Sequence, residues 1–66
     1  LQKYYGMSPS EYVNKLRINY AANLLSNSNL SVTDICYECG FGNMSWFYEL
    51  FRDKYGMTPR QFRADN

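Results

Sequence analysis

Asn43, Met44, Ser45, Tyr48, Glu49 and Arg52 are the residues whose types and spacing offer the most chemistry in this chain. On a helix starting near Asn43 they fall opposite Trp46, Phe47, Leu50 and Phe51, which recur at the three-and-four spacing of a buried face. A polar flank of this kind suits the edges of nucleic-acid bases. Ser45 can hydrogen-bond a base edge or a phosphate, Met44 can touch a thymine methyl, and Glu49 can accept from cytosine N4. Arg52, nearer the C-terminal end, suits a phosphate. Arg60 and Arg63 could grip phosphates beside such a groove, as could the free N–H groups of a helix beginning at Pro59. Ser31, at another helix start, is a further candidate for phosphate. The competing reading is a solvated helix face on a small protein-interaction module.

The remaining chemistry is thin. Cys36-Tyr37-Glu38-Cys39 has the spacing of a redox couple or half a metal site, but the chain has no His and no second Cys pair. Both cysteines fall on the side of a short helix that Ile35 occupies, so core packing is the expected role. No nucleophile motif or Gly-rich phosphate loop is present, and the expectation is no enzyme, no metal and no cofactor. The seven tyrosines read mostly as packing residues with a polar tip.

The elements that must position the polar flank are legible from their ends. Ser31 can cap a helix over the Ile35–Cys39 region, with Asp34 placing negative charge near its positive end. Gly40 supplies the positive φ of a sharp turn, Phe41 follows as an apolar plug, and Asn43 caps the next helix. Two helices across a glycine turn make a helix-turn-helix, whose second helix lies in the DNA major groove. Upstream, Ser8-Pro9-Ser10-Glu11 is a capping box opening a long helix that runs to about Ser26. Its apolar residues form two rows, Tyr12/Leu16/Tyr20/Leu24 and Val13/Arg17/Ala21/Leu25. Arg17, set among them, is expected in a structural ion pair or with its stem laid along apolar surface. Ser26 to Asn29 is a polar break. Gly56 closes the second helix, and Thr58-Pro59-Arg60-Gln61 opens a short last one around Phe62. Leu1 to Tyr5 reads as the tail of a helix that Gly6 closes.

Tyr5-Gly6-Met7-Ser8-Pro9-Ser10-Glu11-Tyr12 recurs fifty residues later as Tyr55-Gly56-Met57-Thr58-Pro59-Arg60-Gln61-Phe62. The second copy follows a complete helix-turn-helix; the first follows five residues. A repeat of this length marks a duplicated supersecondary unit. It divides the chain into the tail of an upstream unit (1–7), a connecting helix (8–29) and a second unit with a terminal short helix (30–66).

The same residues resemble the C-terminal DNA-binding domain of AraC/XylS-type transcriptional regulators. The likeness runs through Ser8-Pro9-Ser10-Glu11-Tyr12, Leu16-Arg17-Ile18, Ala21, Leu24-Leu25, Leu30-Ser31, Asp34-Ile35, Gly40-Phe41, Phe47 and Phe51-Arg52. It ends on Tyr55-Gly56-Met57-Thr58-Pro59 and Phe62-Arg63. It implies an all-α, homeodomain-like helix-turn-helix half-domain with a long preceding connecting helix. It also implies double-stranded DNA as the partner, with the helix from about Asn43 to Lys54 in the major groove. It puts Tyr20 and Leu24 on the face that would support an upstream unit, where an apolar patch and a tendency to self-associate are expected. Cys36, Cys39, Trp46 and Glu49 depart from the family pattern, and Glu49 bears on which bases are read.

Composition agrees with a small intracellular globular domain: 66 residues, 45% hydrophobic, formal net charge +1. That charge is low for a DNA-binding domain, but Arg52, Lys54, Arg60 and Arg63 gather after residue 50. No apolar run approaches the roughly 20 residues of a membrane span, and the expected setting is cytoplasmic, at the nucleoid.

Overall fold

The computed structural model describes residues 6–65, and it is helical throughout: α1 (Pro9–Asn27), α2 (Val32–Glu38), α3 (Met44–Tyr55) and α4 (Pro59–Asp65). No strand occurs among the described residues. The helix expected over Leu1–Tyr5 lies outside them; Gly6, which would close it, has φ +92.

Each helix begins where local chemistry satisfies its first N–H groups. Glu11 N donates to Ser8 Oγ (3.2 Å) and Ser8 N to Glu11 Oε1 (2.9 Å), the reciprocal pair of a capping box. Thr58 and Gln61 repeat it at α4, at 3.0 and 3.1 Å. Ser31 Oγ accepts from Asp34 N at 3.0 Å, and Asn43 Oδ1 accepts from Trp46 N at 3.0 Å. Helix α1 stops at Ser28, whose amide and hydroxyl both donate to Leu24 O (3.0 and 2.7 Å).

The turn between α2 and α3 is a Schellman motif. Phe41 N donates back to Cys36 O and Gly40 N to Tyr37 O, both at 3.0 Å. The six-to-one bond requires the residue between Cys39 and Phe41 to be left-handed, and Gly40 has φ +94. A Cβ there would stand 3.2 Å from Arg17 Nε, whose guanidinium lies over the glycine. Left-handed backbone costs an L-residue about 1–2 kcal/mol. Gly40→Ala should therefore lower unfolding free energy by about that amount in urea titrations followed by far-UV circular dichroism. An unchanged midpoint would mean the turn tolerates a different geometry.

Helix α1 touches the other three helices. It contributes Ile18, Ala21, Ala22 and Leu25 to a core completed by Val32, Ile35, Cys36, Cys39, Phe41, Phe47 and Phe51. Ala21, Ile35, Cys36, Phe47 and Phe51 are wholly inaccessible. The expected rows on α1 therefore split. At 3.6 residues per turn, Ile18, Ala21, Ala22 and Leu25 share the inner face, while Leu16 and Tyr20 lie about 160° round the helix from Ile18 and Tyr12 about 120°. Tyr12, Val13, Leu16 and Tyr20 are exposed, and Leu24 alone of its row packs against the core. Arg17 makes no ion pair among the described residues; it is exposed, its guanidinium 6.0 Å from the centroid of the buried Phe41 ring, and it covers the turn.

Aromatic rings bind α3 to α4. Phe51 stacks with Phe47 (6.0 Å), Tyr55 (4.7 Å) and Phe62 (5.3 Å), and Tyr55 with Phe62 (5.1 Å). Trp46, read from the sequence as part of the buried face, is 44% exposed. One residue of helix is a 100° turn, and that carries Trp46 away from the face that Phe47 buries.

Candidate nucleic-acid interface

The polar flank of α3 is narrower than its sequence suggested. Ser45, Glu49 and Arg52 are exposed and stand at i, i+4 and i+7, so they share one outward arc, opposite the buried Phe47 and Phe51. They line one shallow surface depression together with Met44, Tyr48 and Leu50. Met44 and Tyr48, expected on the same flank, are half-buried and packed against the core; the Tyr48 ring meets Phe47 edge-on at 6.1 Å. They border the row instead of forming it. Asn43 is exposed at the start of the row. Its Oδ1 is held by the cap to Trp46 N, which leaves the amide nitrogen as the group to meet a ligand.

The four residues expected at phosphates separate into two places. Arg52 belongs to the outward row of α3. Ser31, Arg60 and Arg63 come together, with Val32, Thr33 and Ala64, around a cleft between the start of α2 and helix α4. Ser31 and Arg60 are exposed there. Arg63 is not the free cation its sequence position suggested. Its guanidinium donates to three backbone carbonyls: Nε to Leu25 O (3.1 Å), Nη1 to Leu30 O (2.7 Å) and Nη2 to Ser28 O (3.2 Å). This fork turns the side chain toward the end of α1, and periodicity gave no signal of it.

The cysteines lie in the core, as expected. Cys36 Sγ faces Phe41 O at 3.8 Å, and both thiols are free and buried. Burial raises the Cys36 thiol, and burial, then the neighbouring Cys36 and Glu38, push Cys39 up to about 11. Raised thiols of this kind are weak nucleophiles near neutral pH, and both side chains serve the core. No His/Cys/Asp/Glu group suited to a metal occurs among the described residues. No helix among them is long and apolar enough to cross a membrane.

Two helices across a Schellman turn, the second showing an exposed polar row, define a helix-turn-helix module. The comparisons narrow the class. Residues 1–65 match a family model described as "Helix-turn-helix domain". The HTH-type transcriptional activators RhaS of Enterobacter sp. (strain 638) and Citrobacter koseri are 43% and 44% identical over 63 residues, covering 96% of this chain. The chain spans only 23% of the length of those relatives. The crystal structure of a transcriptional regulator from Chromobacterium violaceum, described as having an AraC-type DNA-binding domain, matches with TM-score 0.85 and 37% identity. That match covers 94% of this chain and 55% of the other. The C-terminal domain of the two-component response regulator yesN from Fusobacterium nucleatum matches at TM-score 0.82 and 30% identity, over 92% and 59%. This chain belongs to the AraC-type helix-turn-helix family, a family of DNA-binding domains of transcription regulators and not a class of enzymes.

Proposed function

We propose that this domain binds duplex DNA with α3 in the major groove, Ser45 and Glu49 at base edges, and Asn43, Met44 and Tyr48 flanking them. Arg52 and Arg60 meet phosphates, and the Ser31 hydroxyl donates to another. The observation that carries this reading is the outward row Ser45–Glu49–Arg52, fixed in place from behind by the buried Phe47 and Phe51. Rigid backing matters because base readout depends on a few side chains held at hydrogen-bonding distance. By analogy with the relatives named as activators, the parent protein is a cytoplasmic transcription activator. Helix α1 acts as the joining helix to another helical unit. The exposed stripe Tyr12, Val13, Leu16 and Tyr20 supports that role, and favours self-association of the chain when the stripe is uncovered.

A single module of this kind buries about 600–1,000 Å² on DNA, so the chain alone should bind weakly, in the roughly 10⁻⁴–10⁻⁶ M range of non-specific contacts. Two cationic phosphate contacts give a salt slope near −2, or about tenfold weaker binding between 50 and 200 mM salt. Fluorescence anisotropy with a labelled duplex at those two concentrations reads both. Binding that ignores salt would overturn the phosphate contacts. No binding to any duplex at low salt would favour the protein-interaction module.

A further inference from the structure

We infer that Arg63 is a positioning residue, a three-pronged tie that sets where helix α2 begins relative to α4 and so where Ser31 and Arg60 stand beside DNA. The inference rests on the DNA-binding reading for its consequence, and on the fork's geometry for its mechanism.

The last carbonyls of a helix lack intrahelical donors and carry the negative end of its dipole. Helix α1 has no basic residue in its own last turn. The cation comes from α4. Arg63 Nε reaches Leu25 O, 38 residues back, and Nη2 reaches Ser28 O, the cap of α1. Nη1 makes the shortest bond, 2.7 Å, to Leu30 O, and Leu30 immediately precedes Ser31, the cap of α2. One rigid plane thus spans the end of α1, the connecting loop and the threshold of α2. The loop otherwise holds itself through Leu30 N to Ser28 Oγ, at 3.3 Å.

A planar guanidinium holds three acceptors at fixed mutual angles; an ammonium on a flexible stem is a point charge and does not. Arg63→Lys therefore keeps the charge at the end of α1 and loses the fork, while Arg63→Gln loses both. A phosphate-binding Arg63 would behave oppositely: Lys would serve nearly as well, and Gln would reduce the salt slope by about 0.9.

The test measures duplex affinity of the native chain, Arg63→Lys and Arg63→Gln by anisotropy across salt, at a temperature where circular dichroism shows the native chain folded. Backbone amide spectra are recorded on the same samples. Coupling of this kind is worth about fivefold or more in affinity. Both variants are expected to weaken binding by that factor and to the same extent, with the same salt slope in each, because both misplace Arg60 alike. Amides from Ser28 to Asp34 should move while those of α3 hold. Near-native binding by Arg63→Lys together with a shallower slope for Arg63→Gln would overturn the proposal and make Arg63 a phosphate contact. Unchanged affinity in folded variants would overturn it too. So would failure of both variants to fold, because the fork would then serve stability alone. Should the native chain bind no duplex, the DNA reading fails, and the amide shifts alone still decide whether the fork positions α2.

Discussion

Phe51→Ala should lower the stability of this chain by about 3–5 kcal/mol, the range for emptying a buried aromatic site. Phe51 is wholly inaccessible, and its ring meets Phe47, Tyr55 and Phe62, so one side chain joins both ends of α3 to α4. At roughly 0.05–0.15 kcal/mol per residue, a domain of this length holds only about 3–10 kcal/mol in total. The loss therefore takes a third to all of it. With a urea m-value near 1 kcal/mol/M, the midpoint should fall by about 3 M or more, and the native baseline should shorten or vanish. Trp46→Ala is the control on the same helix. That ring is 44% exposed, and its removal should cost far less. A Phe51→Ala midpoint within about 1 M of native, or a larger loss from Trp46→Ala, would mean that the ring cluster does not hold α4 in place.

What the sequence announced and what it withheld divide along sequence separation. The caps were legible because each is settled within three residues: Ser8 with Glu11, Ser31 with Asp34, Asn43 with Trp46, Thr58 with Gln61. Gly40 was legible because only glycine takes φ +94 cheaply. The inner face of α1 was not, because Tyr12, Leu16 and Tyr20 are as apolar as the residues that became core. Which stripe is buried depends on where α2, α3 and α4 arrive. Trp46 and Tyr48 were misplaced for a related reason: at a helix flank, a 100° step decides between core and solvent, and residue type does not. Arg63 was the furthest from legible. Its three partners lie 33 to 38 residues away and are backbone carbonyls, which leave no mark in side-chain type. Of the candidate interface, the outward row on α3 could be read from its period. The gathering of Ser31 and Arg60 at one cleft required the fold.

Arg52→Glu should abolish measurable binding to every duplex, a loss of about 100-fold or more. Arg52 closes the outward row of α3, one turn beyond Glu49, and is exposed. The native depression sets Glu49 and Asp53 against the Arg52 guanidinium; the variant would present three carboxylates and no cation to the phosphates. Like-charge juxtaposition across an interface costs several kcal/mol, and each 1.4 kcal/mol is about tenfold. The fold should survive, because an exposed residue near a helix C-terminus gives up only about 0.3–1 kcal/mol of dipole interaction. Circular dichroism of the variant checks this before any binding is measured. Arg52→Ala separates charge from contact. It should weaken all sequences alike and reduce the salt slope by about 0.9, as the loss of one phosphate contact does. If Arg52→Ala instead altered preference at a single base position, Arg52 would be reading a base edge, and α3 would enter the groove by a further turn than its N-terminal polar residues imply. If Arg52→Glu bound as the native chain does, the outward face of α3 would not be the face that meets DNA, and the interface would have to lie elsewhere.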